Sequence, residues 1–335
     1  MGESPALSLV LAPMRGVTTV EYRRAFARHF GGLDAEVAPF ISTVRAERIA
    51  PKLLRDILPE NQSPLPLIPQ LIGNCAEDFI RMAEAIYALG YEEINWNLGC
   101  PHKPIRKKRR GAGLLPFPDS VDAFLEKVCE ESPCKISVKV RLGVASSEEL
   151  FRLIPFLNRH PLTVVIIHPR TAEQMYTGQV NLDAFEQAAA GLHHPVCYNG
   201  DIRHPAFFRK IRERFPSIKR FMIGRGILEN PMLPRLLKAD ATESPLPDAA
   251  EALRRLIHFH NELLNAYETR LDGDRPVLGK MKEFWSYQHH ALSNGKALFK
   301  KLKKAERLTS YRGIVDDFLC RARYDLFPPE TPPGE

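Results

Sequence analysis

Eight short apolar runs, each cut off by glycine, proline or a polar cluster, recur through the first two thirds of the chain. They are LSLVLAPM (7–14), AEVAPF (35–40), LIPQLIG (67–73), EINWNLG (93–99), KISVKVRLG (135–143), TVVIIHPR (163–170), PVCYNG (195–200) and RFMIGRG (220–226). Most are continuously apolar rather than alternating, the signature of parallel strands buried on both faces. Between them lie segments with apolar residues at three- and four-residue spacing, such as AEDFIRMAEAIYALG (76–90) and SVDAFLEKVCEE (120–131). Strands alternating with helices in this number predict an α/β fold, a (β/α)8 TIM barrel of about 235 residues. An open doubly wound sheet is the competitor. When it binds a dinucleotide it usually has a glycine-rich turn after its first strand, whereas APMRGVTT offers a single glycine there.

The stretch ADATESPLPDA (239–249) is polar and proline-bearing and reads as a linker. Beyond it, EALRRLIHFHNELLNAYETR and the segments around 277–307 and 311–323 have helical periodicity. The expected organisation is a barrel over 1–238, a linker over 239–249, a small C-terminal helical domain over 250–325 and a frayed tail over 326–335. The six cysteines contain no C-x-x-C pair, and Cys129 and Cys134 have no partner histidines, so no zinc site is expected. Scattered thiols suit a reducing cytosol. MGESPALSLV has no signal-peptide pattern, and Ala6 stands where a myristoylation signal wants Ser or Thr. No run approaches the roughly 18 apolar residues of a membrane span. A cytoplasmic monomer without metal or membrane attachment is the expectation.

Barrel chemistry collects at the C-terminal ends of the strands. Those ends carry Pro13-Met14, Gln70, Asn97 and Cys100, Lys139 and Arg141, His168 and Arg170, Asn199-Gly200-Asp201 and Gly224-Arg225-Gly226. Any one of these could be a satisfied structural residue, but polar groups on six of eight strands point to a shared site. Glycines and an arginine after strands seven and eight occupy the place where barrels commonly hold a phosphate, tight turns being the alternative. Lys139 and Arg141, two apart, share one side of the pleat and stay charged there only beside an anionic or electron-rich partner.

Taken together, APM at 12–14, Q-L-x-G at 70–73, N-x-G-C-P at 97–101, K-x-R at 139–141, H-x-R at 168–170, N-G-D-I at 199–202 and G-R-G at 224–226 resemble the tRNA-dihydrouridine synthase family. Order and spacing agree over roughly residues 7–235, and RPVLGKMKEFWSYQ (275–288) resembles that family's tRNA-binding domain. The resemblance implies an FMN-bound barrel that reduces the C5–C6 double bond of a uridine in tRNA, with NADPH re-reducing the flavin. It implies that Ala12, Pro13 and Met14 border the flavin ring and that Gln70 and Lys139 bond its polar edge, with His168 against it. Asn199, Gly200, Asp201, Gly224 and Arg225 would line the ribityl-phosphate end. Asn97, Arg141 and Arg170 would handle the uracil. Cys100 would protonate C5 after hydride reaches C6; a buried thiol acting as a small hydrophobe is the plain alternative. Three features depart from the family pattern: Asn95 where aspartate is frequent, Pro169 within H-x-R, and RRGAGLLPFP after the cysteine.

Charge adds a partner. With 47 Lys and Arg against 40 Asp and Glu, the chain carries a formal +7 and a pI near 9.1, compatible with a polyanion. Arg106, Lys107, Lys108, Arg109 and Arg110 follow the cysteine directly. Lys300, Lys301, Lys303 and Lys304 head a second cluster with Lys280, Lys282, Lys296, Arg307 and Arg312, opposed only by Glu283 and Glu306. Two runs, one at the expected mouth and one in the appended domain, point to RNA. The rival reading is an FMN-dependent reductase of a free pyrimidine or another small enone.

Overall fold

The computed structural model describes residues 7–46 and 48–328. The expectations for the extreme N-terminus, and for the tail from 329 onward, lie outside the described residues. Eight parallel strands close into a ring. They are β1 (Ser8–Leu11), β2 in two pieces (Ala35–Val37 and Ile41–Ser42), β3 in two pieces (Leu67–Ile68 and Gln70–Ile72), β4 (Glu93–Leu98), β5 (Lys135–Gly143), β6 (Leu162–Thr171), β7 (Val196–Tyr198) and β8 (Arg220–Ile223). Each pairs with the next, and β8 returns to β1 from Ser8↔Arg220 to Leu11↔Ile223. The breaks in β2 and β3 fall at Pro39 and Pro69, which lack the N–H a ladder needs.

Around the ring stand α1 (Val20–His29), α2 (Ala76–Tyr87), α3 (Pro118–Glu131), α4 (Glu148–Leu157), α5 (Leu182–Gly191), α6 (Pro205–Arg214), α7 (Arg225–Glu229) and α8 (Leu233–Thr242). Between β2 and β3 short turns from Pro51 to Asn61 replace a full helix. Alternation along the strands explains the apolar runs. Leu9, Leu11, Leu71, Trp96, Val138 and Ile167 join the large core beneath the helices. Val10, Ala12, Val37, Val164, Ile166, Cys197 and Met222 form a separate cluster inside the ring. The inward positions of β3, β4 and β5 are polar instead: Gln70, Asn95, Asn97, Ser137 and Lys139.

A buried ion pair ties α1 to β2. Arg23 Nε donates to Glu36 Oε1 at 3.0 Å, with both side chains 1 % exposed. Its other nitrogens donate to the Thr18 carbonyl at 2.9 Å and to the Asp56 carbonyl, while Ser63 donates to Glu36 at 2.8 Å. These hydrogen bonds offset the cost of burying the pair.

The C-terminal helices are α9 (Ala249–Arg270), α10 (Asp274–Gln288), α11 (Gly295–Leu302) and α12 (Leu308–Leu319). The connection is shorter than the expected 239–249. Helix α8 continues through Thr242 and stops at Glu243 in the left-handed region (φ 53°). Asp248 then caps α9, accepting from Ala250 N at 3.3 Å and Glu251 N at 3.0 Å. The periodic segment 277–307 divides after Gln288, where a 3-10 turn (His289–Ala291) ends α10, and Asn294 at φ 58° then leads into α11. The two parts share one hydrophobic core: Phe259 of α9 packs against Tyr22, Phe26 and Phe30 of the α1 region. Gln288 Nε2 donates to the Leu228 carbonyl at 2.7 Å, and Tyr324 donates to Asn230 at 2.7 Å. No helix among the described residues is long and apolar enough to cross a membrane. Nor does any group of three or more His, Cys, Asp or Glu among them have the arrangement of a metal site.

Candidate active site

The C-terminal strand ends open onto one cleft of about 270 Å³. Of the expected site residues, Ala12, Pro13, Met14, Asn97, Cys100, Lys139, Arg141, His168, Asn199, Gly200, Asp201, Gly224 and Arg225 all line it. Two lie behind the wall. Gln70 is fully buried, with Nε2 donating to Asn95 Oδ1 at 2.7 Å and Oε1 accepting from Asn97 at 2.8 Å. Arg170 is also fully buried, its guanidinium spent on Asp201 and on the Thr177 and Gly178 carbonyls. Each supports residues that do line the cleft, Gln70 through Asn97 and Arg170 through Asp201 and His168.

Cys100 sits at the top of β4, 6 % exposed. Its position follows from an Asx turn: Asn97 Oδ1 accepts from Gly99 N at 3.1 Å and Cys100 N at 2.9 Å. The following loop folds back, so that Ala112 N donates to the Cys100 carbonyl at 3.1 Å. Gly111 permits this approach, since its φ is +57° and a Cβ there would stand 2.8 Å from that of Cys100. Burial, first, raises the thiol's pKa; the His102 backbone and the charges of Arg141, Arg15 and Lys139 pull it back in part. The group is a protonated thiol at neutral pH.

Positive charge dominates the wall. Arg141 donates from Nε to the Gly99 carbonyl at 3.0 Å and from one terminal nitrogen to the Thr171 and Met175 carbonyls at 2.8 and 2.7 Å. Burial and the charges of Arg141, Lys139, Arg170 and Arg225 push the His168 pKa far down, so the imidazole is neutral. Its Nε2, 3.3 Å from Arg170, is the acceptor there because a guanidinium only donates, which leaves Nδ1 protonated. At the far end Asp201, with φ +44°, accepts from Arg170 and, at 2.9 Å, from Arg225. Its carboxylate is thus an anchor for guanidinium groups. Arg225 also lies over the Tyr176 ring at 4.7 Å.

The residues fit a bound flavin. Lys139 is half-buried, faces the cleft and forms no hydrogen bond or ion pair among those of the described residues. A Cβ on Gly224 would meet Ala12 Cβ at 3.4 Å and Met14 Sδ at 3.5 Å, so the bare glycine keeps that wall open. Beside it Arg225 supplies a charged donor, and the first turn of α7 leaves N–H groups that suit an oxyanion.

Burial, then the Arg141 charge, lower the Lys139 pKa from 10.5 to about 7. Between these values the unfolded chain binds the extra proton, so stability rises with pH through the window, by at most about 1.4 kcal/mol per unit. The melting temperature of the flavin-free protein should climb from neutrality to about pH 8, below the range where unfolded thiols ionise, and Lys139→Met should flatten the climb. A slope that the substitution leaves unchanged would show that Lys139 is already charged in the folded protein.

Sequence reasoning missed several contributors to the wall, among them Arg15, Phe40, His102, Tyr176, Arg203, Glu283 and Tyr287. Glu283 and Tyr287 come from α10, so the appended helices complete the cleft. Arg203, paired with Glu229 at 3.2 Å, extends the N-G-D-I stretch by one residue and could have been read there.

The basic clusters divide by use. Arg106 Nε donates to the Pro101 carbonyl at 2.9 Å, Arg110 to Asn74 at 3.1 Å, and Arg109 stacks over Phe117 at 4.5 Å. These three build the loop, and Lys107 and Lys108 stand exposed. Lys280 donates to the Gly16 carbonyl at 2.6 Å, and Lys282 donates to the Lys303 and Ala305 carbonyls at 3.1 and 2.7 Å. Lys300, Lys301, Lys303 and Lys304 are exposed and enter no ion pair among those of the described residues.

The family model for dihydrouridine synthase (Dus) matches residues 10–314. A tRNA-dihydrouridine(16) synthase of Haemophilus ducreyi is 26 % identical over 316 residues, covering 91 % of this chain and 93 % of that one. A probable tRNA-dihydrouridine synthase of Rhodobacter capsulatus is 29 % identical over 219 residues, covering 65 % and 67 %. Among solved structures, the old yellow enzyme from Trypanosoma cruzi aligns with a TM-score of 0.50 at 9 % identity, covering 72 % of this chain and 89 % of that one, a likeness of fold alone. With the family match spanning the barrel and most of the helical domain, the chain belongs to the dihydrouridine synthase family and is a flavin-dependent oxidoreductase.

Proposed function

We propose that the protein reduces the C5–C6 double bond of uridine in tRNA to 5,6-dihydrouridine, with FMN as the flavin and NADPH as its reductant. The observation that carries this reading is the protonated Cys100 thiol, held at the rim of a cationic cleft by the Asn97 turn. When bound, FMN supplies the hydride, from N5 of its reduced form to C6 of the uracil ring. Cys100 gives its proton to C5 from the other face and regains one from solvent. Asn97 has both backbone N–H groups on its Oδ1, so only its remaining amide N–H is free to donate to a carbonyl of the base. Arg141 and Lys139 offset the negative charge that hydride addition places on the ring oxygen. Gly224 and Arg225 suit the phosphate end of the cofactor.

The names of the relatives support tRNA as substrate, and so does the surface. A base must leave its stack to reach such a cleft, at a cost of a few kcal/mol. Exposed lysines that grip the backbone offset that cost. Changing Lys300, Lys301, Lys303 and Lys304 to glutamine should weaken tRNA binding and lower the slope of log K against log salt by up to about 3–4. A slope equal to that of the unaltered protein would place the RNA elsewhere.

The function itself is tested by supplying FMN, NADPH and an unmodified tRNA transcript to the purified protein. The expected result is tRNA heavier by two hydrogens at a uridine, with free uridine untouched. Equal turnover of free uridine would establish the small-molecule reductase instead.

A further inference from the structure

Inside the barrel, beneath the cleft, lies a chain of polar side chains whose direction is set at both ends. Asn97 Oδ1 faces two backbone N–H groups, at 3.1 Å for Gly99 and 2.9 Å for Cys100, which only donate. Its Nδ2 must therefore face Gln70 Oε1, at 2.8 Å. That turns Gln70 Nε2 toward Asn95 Oδ1 at 2.7 Å, and Asn95 Nδ2 toward Ser137 Oγ at 3.0 Å. The Ser137 hydroxyl closes the chain on the Ile94 carbonyl at 3.4 Å. Gln70, Asn95 and Ser137 are all fully buried and stand side by side in the sheet register, Gln70↔Asn95 and Asn95↔Ser137.

We infer that Asn95 and Ser137 are positioning residues for the reaction: through Gln70 and Asn97 they hold the Cys100 turn in place. Neither touches the cleft, and neither is needed to fill space that an apolar residue could not fill. What they supply is polarity. Removing the Asn95 amide leaves Gln70 Nε2 without its acceptor and Ser137 Oγ without its donor in a dry interior, while the hydroxyl keeps the Ile94 carbonyl. An unmade buried hydrogen bond is costly enough to turn Gln70 over. A turned Gln70 would set its NH2 against that of Asn97 and loosen the acceptor of the Cys100 N–H. The inference rests on the reading of Cys100 as proton donor.

The test reads the thiol directly. In flavin-free protein, alkylation of Cys100 by iodoacetamide is followed by peptide mass spectrometry, with the exposed Cys320 as internal reference. Asn95→Leu is expected to raise Cys100 alkylation about tenfold relative to Cys320. In the FMN-loaded enzyme the same variant should slow flavin reoxidation by tRNA about tenfold in a single turnover and leave reduction by NADPH unchanged. Asn95→Asp should stay within about twofold of the unaltered protein, because its carboxylate accepts from Gln70 and from a rotated Ser137 hydroxyl. Should Asn95→Leu fail to fold, Ser137→Ala, which removes one hydroxyl, is expected to raise alkylation about threefold. Alkylation within measurement error of the unaltered protein in the folded variants would overturn the positioning role. Raised alkylation with unaltered reoxidation would overturn Cys100 as the acid, and with it this inference.

Discussion

Cys100→Ala is expected to slow dihydrouridine formation in a single turnover by about 10²–10⁴-fold, the span that a positioned general acid contributes. Flavin reduction by NADPH should be unchanged. The substitution isolates the thiol because everything structural at this position is backbone: the N–H donates to Asn97 and the carbonyl accepts from Ala112. Alanine keeps both. The pH profile carries a second signature. Burial raises the thiol's pKa, and only the protonated form donates. The single-turnover rate should hold level through neutrality and fall once pH passes the raised value. Cys100→Ala should abolish that fall, since the titrating group is gone. A near-normal rate in Cys100→Ala would show that water or another residue protonates C5. Nothing in the turn geometry would then explain why Gly111 and Asn97 hold this residue so closely.

That turn also shows where the sequence was readable. The strands were visible because helices cover them outside and either a filled interior or the cleft covers them within, which leaves long apolar runs. The strand ends were visible for the opposite reason, since a polar residue after such a run has to face something. Within the runs, EINWNL and KISVKVR carry a period-two pattern that marks Asn95, Asn97, Ser137 and Lys139 as inward-facing. Reading these runs as continuously apolar hid the buried chain of amides. Tyr176, Glu283 and Tyr287 were hidden differently. They reach the cleft from a loop and from α10, by convergence in space that no local spacing records. The same applies to the breadth of the contact between barrel and helices, made by side chains more than 200 residues apart such as Arg28 and Glu262. Composition and motif order showed that a helical domain follows a barrel. They did not show that it supplies a wall of the site.

The second large effect is expected at Arg170, which the motif pattern assigns to the uracil and the fold places behind the cleft. Arg170→Met should cost about 3–5 kcal/mol of stability, the range for breaking a buried ion pair on one side only. The guanidinium bridges Asp201 and the loop carbonyls of Thr177 and Gly178. Without it Asp201 keeps Arg225 at 2.9 Å, and two carbonyls lose the guanidinium as donor. Arg225 would then be drawn toward Asp201, away from the end of the cleft where a phosphate fits. The loop bearing Tyr176 would lose its anchor. The variant should therefore melt lower and also release its flavin more readily, which fluorescence of free flavin measures during dilution. Arg170→Lys should restore little, because an ammonium cannot present the planar fork that two carboxylate oxygens and two carbonyls require. Combining Arg170→Met with Asp201→Asn separates the two consequences. Removing the stranded carboxylate should return part of the lost stability, so the double variant is less destabilised than the sum of the singles. Flavin retention should stay poor, because Arg225 has then lost the carboxylate that aims it. Strict additivity in stability would mean that Arg170 and Asp201 do not act as a pair, and that the phosphate end is held by other groups.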